Sequence, residues 1–192
     1  MKLNKEYWSE RYTANNTPWD AGEITTPIKA YIDQLTNKDL KILVPGVGNG
    51  YELKYLYENG FKNVFGLDIL EEPLKDFLKN NPSFPKEQLL FEDFFAHDET
   101  YDLILEQTFF CAIDPNLRSL YVDKINELLA EKGTLAGVLF SFPLTQQGPP
   151  FGGNQEEYKQ FFQKYFKIKT LAPCYNSIKP RKNNELFIVI KK

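Results

Sequence analysis

Residues 41–50 read KILVPGVGNG, a short apolar segment that runs without interruption into three alternating glycines. Residues 41–45 have the apolar, β-branched composition of a buried strand. Gly46, Gly48 and Gly50 then let the backbone turn tightly and approach a ligand closely, because glycine adopts positive φ without a steric penalty. The stretch predicts a buried strand followed by a loop that can line a ligand site.

A helix and a second strand follow this loop at the spacing of a parallel crossover. Residues 52–59 predict a helix, and Gly60 stands where a glycine commonly ends one. Residues 64–68 (VFGLD) predict the next strand. The unit therefore predicts two parallel strands joined by a helix, a connection that is almost always right-handed.

The rest of the chain continues the alternation of helices and strands. Helices are predicted at residues 71–79, 118–129 and 156–165, and strands at residues 88–92, 102–106, 135–142, 166–171 and 186–190. Such alternation is typical of a mostly parallel sheet with helices on both faces. We predict a single Rossmann-like α/β domain with a seven-stranded, mostly parallel sheet, whose ligands bind at the carboxyl ends of the strands.

The first 37 residues differ in composition from the remainder of the chain. They are aromatic and polar, and Pro18 and Pro27 interrupt them. We predict that residues 1–37 form an N-terminal arm or lid and that residues 38–192 form the core.

Composition argues against several classes of protein. The 192 residues carry a formal net charge of −3, with the lysines scattered, so the basic face that nucleic-acid binding requires is missing. The longest apolar runs are far shorter than the roughly 20 residues of a membrane helix, and the N-terminus lacks a signal peptide's apolar centre. Two cysteines and one histidine do not provide a disulfide framework or a histidine-rich metal site. We predict a monomeric cytoplasmic protein that binds a small molecule and no metal, membrane or nucleic acid, with His97 in an exposed loop.

Asp68 closes the second predicted strand, eighteen residues after Gly50. A carboxylate at this place can accept hydrogen bonds from both hydroxyls of a ribose. The spacing G-x-G-x-G, in contrast to the G-x-G-x-x-G of dinucleotide folds, suits a nucleoside with an amino-acid tail better than a pyrophosphate. Gly46, Gly48 and Asp68 are candidate cofactor-binding residues. The alternative is a glycine-rich connection beside a solvated carboxylate, with no ligand.

Polar residues also end the next two predicted strands. Asp93 and Phe94 follow the third strand, where they can contact the exocyclic amine and the ring of an adenine. For Phe94 the alternative is a place in the core. Glu106 and Gln107 end the fourth strand, where the apolar pattern would otherwise continue, and functional sites often break a local pattern in this way.

Three aromatic residues, Trp8, Tyr12 and Trp19, cluster in the N-terminal arm. Their π faces would attract a sulfonium cation by about 0.5–2 kcal/mol each. The alternative is that they anchor the N-terminal segment to the core, and both interpretations can hold together.

These residues resemble the thiopurine methyltransferase-like branch of the class I S-adenosylmethionine-dependent methyltransferases, which includes the plant halide and thiol methyltransferases. The resemblance covers nearly the whole chain. It is carried by WxxxY at 8–12, TPWD at 17–20, LVPGVGNGYE at 43–52, GLDI at 66–69, EDFF at 92–95, TFFCAI at 108–113 and GPPF at 148–151. Several of these motifs are common alone, but their order and spacing together are specific.

The resemblance implies that the chain binds S-adenosyl-L-methionine and releases S-adenosyl-L-homocysteine. It implies that the arm with Trp8, Tyr12 and Trp19 closes over the cofactor and that the loop at Gly46 and Gly48 passes under its methionine part. By the same resemblance Asp68 would hold the ribose, Asp93 and Phe94 the adenine, and Gln107 would lie beside the cofactor near the methyl acceptor.

The chain departs from the family pattern at three places. Val47 replaces the usual cysteine of the glycine loop, Glu106-Gln107 replaces an Asp-Tyr pair, and Phe151 replaces the tyrosine of Gly-Pro-Pro-Tyr. The last two changes remove phenolic hydroxyls from the region expected to face the acceptor. We expect a small nucleophile, a thiol, a sulfide or a halide, because such groups are wholly or partly ionised near neutral pH and need no histidine base.

Two other functions remain open from the sequence. The same fold could bind the cofactor without catalysis. The second is a nucleotide-dependent oxidoreductase, which only the glycine loop and Asp68 favour. Two features count against it: the loop lacks the last glycine of the dinucleotide motif, and the chain is too short to include a substrate domain.

Overall fold

The computed structural model describes residues 3–145 and 148–192, which form a central sheet with helices packed on it. The strands are β1 Ile42–Pro45, β2 Val64–Asp68, β3 Leu89–Phe91, β4 Tyr101–Gln107, β5 Leu129–Phe140, β6 Lys167–Pro173 and β7 Glu185–Lys191. The α-helices are α1 Lys5–Thr13, α2 Thr26–Asp33, α3 Tyr51–Glu58, α4 Glu71–Asn80, α5 Arg118–Leu128 and α6 Gln155–Phe162.

The sheet has seven strands in the order β3-β2-β1-β4-β5-β7-β6. Neighbouring strands from β3 to β5 pair in parallel, and β7 runs antiparallel to both β5 and β6. This confirms the predicted seven-stranded, mostly parallel α/β sheet. The strand order reverses at β1, which pairs with β2 on one side and β4 on the other. The crevice at this reversal lies at the carboxyl end of β1, directly before Gly46.

Successive residues of β1 pack into different hydrophobic clusters, because side chains alternate between the faces of a sheet. Leu43 belongs to the cluster that contains side chains of α5 and α6, whereas Ile42 and Val44 belong to the cluster with side chains of α2, α3 and α4. Helices therefore cover both faces, as predicted. No helix within residues 3–145 and 148–192 combines the length and the apolar character that crossing a membrane requires.

The predicted arm divides into two different parts. No residue of α1 is buried. In contrast, α2 buries Ile28 and Ile32, which are 0% and 1% exposed, in the cluster shared with β1. The prediction of an arm over residues 1–37 was therefore too long, since α2 packs as part of the core and only the residues before it can act as an arm.

Strand β5 begins earlier than predicted. We expected a strand at residues 135–142, but β5 starts at Leu129, directly after α5. Exposed Glu131 and Lys132 interrupt the apolar pattern there, and Lys132 has a φ of 67°. A register shift in the pairing with β4 accompanies this irregular start, which explains why periodicity alone did not reveal it.

His97 lies in a loop, as predicted, but it is buried, so the prediction that it is exposed was wrong. Its Nδ1 lies 2.8 Å from Glu92 Oε1 and its Nε2 lies 2.7 Å from the Tyr101 hydroxyl. Because Tyr101 begins β4, this group lies at the opposite end of the strand from Gln107.

Candidate active site

A cavity of about 680 Å³ opens at the carboxyl ends of β1 and β2 and beside the loop after β4. Eight of the nine predicted cofactor residues line it: Trp8, Tyr12, Trp19, Gly46, Gly48, Asp68, Asp93 and Phe94. Its wall also includes Thr108 and Phe109, for which sequence analysis gave no role. The volume is in the range of cavities that bind small molecules and cofactors.

The glycine loop has the backbone conformation that its sequence predicts. Gly46, Gly48 and Gly50 have φ values of 68°, 54° and 72°, all in the left-handed region that favours glycine. A Cβ on Gly46 would lie 2.7 Å from Phe109 Cδ2, whereas the one described atom within 4 Å of a Cβ on Gly48 is the Tyr12 hydroxyl oxygen, at 3.7 Å. Gly46 is therefore required for close packing, and Gly48 leaves open space that a ligand can use.

Asp68 ends β2 with its carboxylate at the cavity and is only 8% exposed. Oδ1 accepts a hydrogen bond from the Leu70 amide at 2.9 Å, and Oδ2 accepts a longer one, at 3.4 Å, from the Gly48 amide. Burial raises the pKa of this carboxyl, and the backbone N–H bonds oppose that effect. A carboxylate has about four acceptor positions, so capacity remains for the two hydroxyls of a ribose.

The aromatic arm covers the glycine loop. Trp19 makes edge contacts with Trp8 and Tyr12, with ring centroids 5.5 Å and 5.7 Å apart. Burial, followed by the negative charge of Asp68, raises the pKa of Tyr12, so its phenol stays neutral near pH 7. The three rings line the same cavity as Gly46 and Gly48, and an aromatic wall of this kind suits a sulfonium.

Hydrogen bonds from two other parts of the chain hold the arm in place. Asp20 accepts one from Asn49 Nδ2 at 2.7 Å and one from the Tyr51 hydroxyl at 3.0 Å, both next to the glycine loop. Arg181, which lies just before β7, donates from Nη2 to the Trp19 carbonyl at 2.6 Å. We call these contacts the arm latch.

Asp93 and Phe94 lie at the cavity after β3, where the adenine was predicted. Asp93 is exposed and accepts a hydrogen bond from the Phe95 amide at 2.9 Å. Phe94 is 3% exposed, stacks on Tyr121 at 5.5 Å and makes an edge contact with Phe109 at 5.0 Å. Phe94 therefore belongs to the core and to the cavity wall at once.

Gln107 is not among the described residues that line the cavity, so the structure does not bring it together with the other eight predicted cofactor residues. Its Oε1 accepts a hydrogen bond from Thr25 Oγ1 at 2.8 Å. Thr25 is the N-cap of α2. Along β4, alternate residues point to opposite faces, and the side chain of Gln107 lies on the face that α2 covers.

Glu106 points to the other face and is 0% exposed. Its Oε1 accepts hydrogen bonds from the amides of Phe109 at 2.8 Å and Phe110 at 2.9 Å, and its Oε2 accepts one from the Tyr121 hydroxyl at 2.6 Å. Burial raises its pKa to about 7 in spite of these bonds. The predicted polar break at the end of β4 is thus real, but its carboxylate serves the backbone of the following loop.

The GPPF loop at residues 148–151 joins this region through backbone contacts. The Phe151 amide donates to the Cys111 carbonyl at 2.8 Å, and Arg118 Nη2 donates to the Gly152 carbonyl at 2.7 Å. Phe151 is 7% exposed and is not among the described cavity-lining residues. Gln146 and Gln147, which precede this loop, lie outside the described residues.

The cavity is acidic, which suits a cofactor with a net positive charge. Among the described residues that line it, Glu6, Asp68, Asp93 and Asp114 are acidic and Lys5 alone is basic. S-adenosylmethionine carries a sulfonium and an ammonium against one carboxylate. The open space at Gly48, the spare acceptor positions of Asp68 and the aromatic wall therefore fit this cofactor.

Solved structures have the same fold. A 1,6-didemethyltoxoflavin-N1-methyltransferase from Burkholderia thailandensis, determined with bound 1,6-didemethyltoxoflavin and S-adenosylhomocysteine, superposes with a TM-score of 0.77 at 16% identity. The superposition covers 97% of this chain and 86% of that one. The fold is that of an S-adenosylmethionine-dependent methyltransferase.

Sequence comparisons narrow this class to one family. The family model for thiopurine S-methyltransferase matches residues 3–189. The chain is 30% identical to probable thiol methyltransferase 2 of Arabidopsis thaliana and 29% identical to thiocyanate methyltransferase 1 of Brassica oleracea. Each alignment covers 93% of this chain and 81% of the relative. The chain belongs to the thiopurine S-methyltransferase family.

Proposed function

We propose that this methyltransferase transfers the methyl group of S-adenosylmethionine to a thiol, a sulfide or a halide. The main observation behind the proposal is the cavity that Gly46, Gly48 and Asp68 line together with the aromatic residues of the arm. The thiol and thiocyanate methyltransferases among its relatives support a small acceptor of this kind. His97, the sole histidine, is bonded at the far end of β4, so the acceptor should be one that needs no histidine base.

We propose a separate role for each part of the cavity wall. Asp68 holds the ribose hydroxyls, and the loop at Gly46 and Gly48 passes under the methionine portion. Asp93 and Phe94 contact the adenine. Trp8, Tyr12 and Trp19 cover the sulfonium, and the arm latch keeps them in place.

The chain's main contribution to the reaction is alignment and exclusion of water. When bound, S-adenosylmethionine supplies a methyl group activated on a cationic sulfur. The aromatic rings of the arm exclude water from the nucleophile, which strengthens its attack on the methyl carbon. Holding the nucleophile in line at about 3–3.5 Å can contribute on the order of 7–11 kcal/mol to lowering the barrier. No covalent bond to the protein is needed.

A panel of acceptors with radiolabelled S-adenosylmethionine tests the proposed function. We expect label to appear in a methylated product with hydrosulfide, a small organic thiol, thiocyanate or iodide. Calorimetry with S-adenosylhomocysteine runs in parallel. Binding without transfer to any acceptor would favour a non-catalytic cofactor-binding protein, and absence of binding would overturn the cofactor site itself.

We further propose that the chain acts as a monomer in the cytoplasm. Cys111 and Cys174 are buried and unpaired, which suits a reducing compartment. Analytical ultracentrifugation should give a single species near 22.4 kDa, and a stable dimer would contradict the first part. Imaging of a tagged chain in its own cell checks the second.

A further inference from the structure

The loop after β4 has a strained backbone at the cavity wall. Thr108 has a φ of 60°, a left-handed conformation that is rare for a β-branched residue. Its hydroxyl donates to the Gln107 carbonyl at 2.7 Å. Strain of this kind persists only where surrounding contacts enforce it, and it is concentrated at functional sites.

The contacts that enforce the conformation come from Glu106. Its Oε1 accepts the amides of Phe109 and Phe110, the two residues directly after the strained one, at 2.8 Å and 2.9 Å. The Tyr121 hydroxyl fixes the second oxygen at 2.6 Å. A fully buried carboxylate with three donors therefore determines the path of the loop.

The loop position in turn determines the shape of the cavity. Thr108 and Phe109 both line the cavity, and the Phe109 ring occupies the space where a Cβ on Gly46 would lie. Phe109 also contacts Phe94, which lies on the predicted adenine side, with ring centroids 5.0 Å apart. One side chain thus connects the glycine loop to the opposite part of the wall.

We propose that Glu106 is a positioning residue for methyl transfer. It acts through the backbone amides of Phe109 and Phe110 to hold the cavity wall against the glycine loop. Tyr121 orients its carboxylate. The inference rests on the proposed function, because the wall matters only if the cofactor binds there. Glu106 itself contacts neither cofactor nor acceptor.

Protonation of Glu106 weakens this arrangement, since a neutral carboxyl is a poorer acceptor than a carboxylate. Burial raises its pKa to about 7. The titratable groups that face it are Tyr121 on α5, Tyr158 on α6 and Cys111 in the loop, and burial raises the pKa of each. All three stay neutral between pH 6 and pH 8.5, so within this group Glu106 alone changes charge.

The test compares Glu106→Gln, Glu106→Ala and Tyr121→Phe with a matched control, Tyr101→Phe. Tyr101 is also a fully buried tyrosine with one hydroxyl hydrogen bond, but it lies at the far end of β4. The readouts are calorimetric affinity for S-adenosylhomocysteine between pH 6 and pH 8.5, and turnover with an acceptor from the panel. Melting curves report whether each variant is folded.

At pH 8.5 we expect affinity for S-adenosylhomocysteine to fall roughly tenfold in Glu106→Ala and about threefold in Tyr121→Phe. In Tyr101→Phe it should stay within about twofold of the wild-type affinity. Glu106→Gln, which resembles the protonated acid, should retain more affinity than Glu106→Ala. It should also lose the wild-type step in affinity near pH 7. Because the pH comparison uses Glu106→Gln, it holds even if Glu106→Ala does not fold.

Two results distinguish failure of the positioning role of Glu106 from failure of the proposed methyltransferase function. If wild-type protein does not bind S-adenosylhomocysteine, the proposed function fails. If wild-type protein binds it but Glu106→Gln and Tyr121→Phe match Tyr101→Phe in affinity, turnover and pH profile, the positioning role is overturned and the methyltransferase assignment stands.

Discussion

Asp68 combines a buried position with hydrogen-bonding capacity that the protein leaves unused. Its two backbone donors orient the carboxylate, and the longer one, at 3.4 Å from Gly48, leaves Oδ2 largely available. This is the arrangement expected of a carboxylate oriented before its ligand arrives, which lowers the entropic penalty of binding.

Asp68→Asn should weaken the binding of S-adenosylhomocysteine roughly 10- to 100-fold, because an amide accepts on one atom only and hydrogen bonds to a charged group contribute about 1.5–3 kcal/mol. Asp102→Asn is the control. Its Oδ2 also accepts a backbone amide, that of Lys41, at 2.9 Å, but outside the described cavity wall. Equal calorimetric affinity for the two variants would remove the ribose role.

Gly48→Ala should both strain the backbone and obstruct the cavity, and comparison with Gly60→Ala distinguishes the two effects. The new methyl group would point into open space beside Tyr12, with φ at 54°. Gly60→Ala is the matched control, because its φ is 91° and no described atom lies within 4 Å of the added Cβ. Both should lose about 1 kcal/mol of stability in urea unfolding. Only Gly48→Ala should lose affinity for S-adenosylhomocysteine, by tenfold or more; retained affinity would show that no ligand passes that glycine.

At the scale of elements, the arm latch joins the loop after α1 to the start of α3 and to Arg181, just before β7. Asp20 is exposed, and its bonds to Asn49 and Tyr51 are surface contacts. Such contacts contribute little to global stability. They can still govern how long the arm stays closed.

Asp20→Ala should therefore weaken cofactor affinity several-fold while it changes the free energy of unfolding by no more than about 0.5 kcal/mol. Asp33→Ala is the control: Asp33 is an exposed aspartate that also accepts from a tyrosine, Tyr55, and pairs with Lys29 on α2. Asp33→Ala should leave affinity for S-adenosylhomocysteine unchanged. The arm would be a passive anchor if Asp20→Ala bound S-adenosylhomocysteine as tightly as wild type.

The strands that position the cavity could be predicted because their apolar runs are short, dense and followed by glycine or aspartate. β2 begins and ends at the predicted residues, and β1 differs by one. The direction of the Gln107 side chain could not be predicted. Alternation along a strand places side chains on the two faces of the sheet, but it does not show which face borders a ligand. The role of Glu106 depends on the positive φ of Thr108, a conformation that threonine rarely adopts.

At the scale of the whole molecule, stability should depend on pH through buried carboxyls. Glu52 is 7% exposed, and burial raises its pKa to about 7, as burial does for Glu106. A carboxyl whose folded pKa lies above its unfolded value binds more protons in the native state. Stability must then fall as pH rises from about 4.5 to about 7.

Glu52→Gln should remove part of that fall, on the order of 2 kcal/mol in the difference between the free energies of unfolding at pH 5 and pH 8. Glu58→Gln is the control at the other end of α3, where Glu58 is exposed and pairs with Lys54 at 2.8 Å. Urea titrations at both pH values give the numbers. An identical pH dependence in wild type and Glu52→Gln would show that Glu52 does not titrate in this range.

The bond from Arg181 to the Trp19 carbonyl joins residues that are 162 positions apart. A ribosome makes the aromatic cover of the cavity long before it makes the arginine that fastens it. A nascent chain can therefore complete the glycine loop and the end of β2 well before the aromatic cover can be fastened over them.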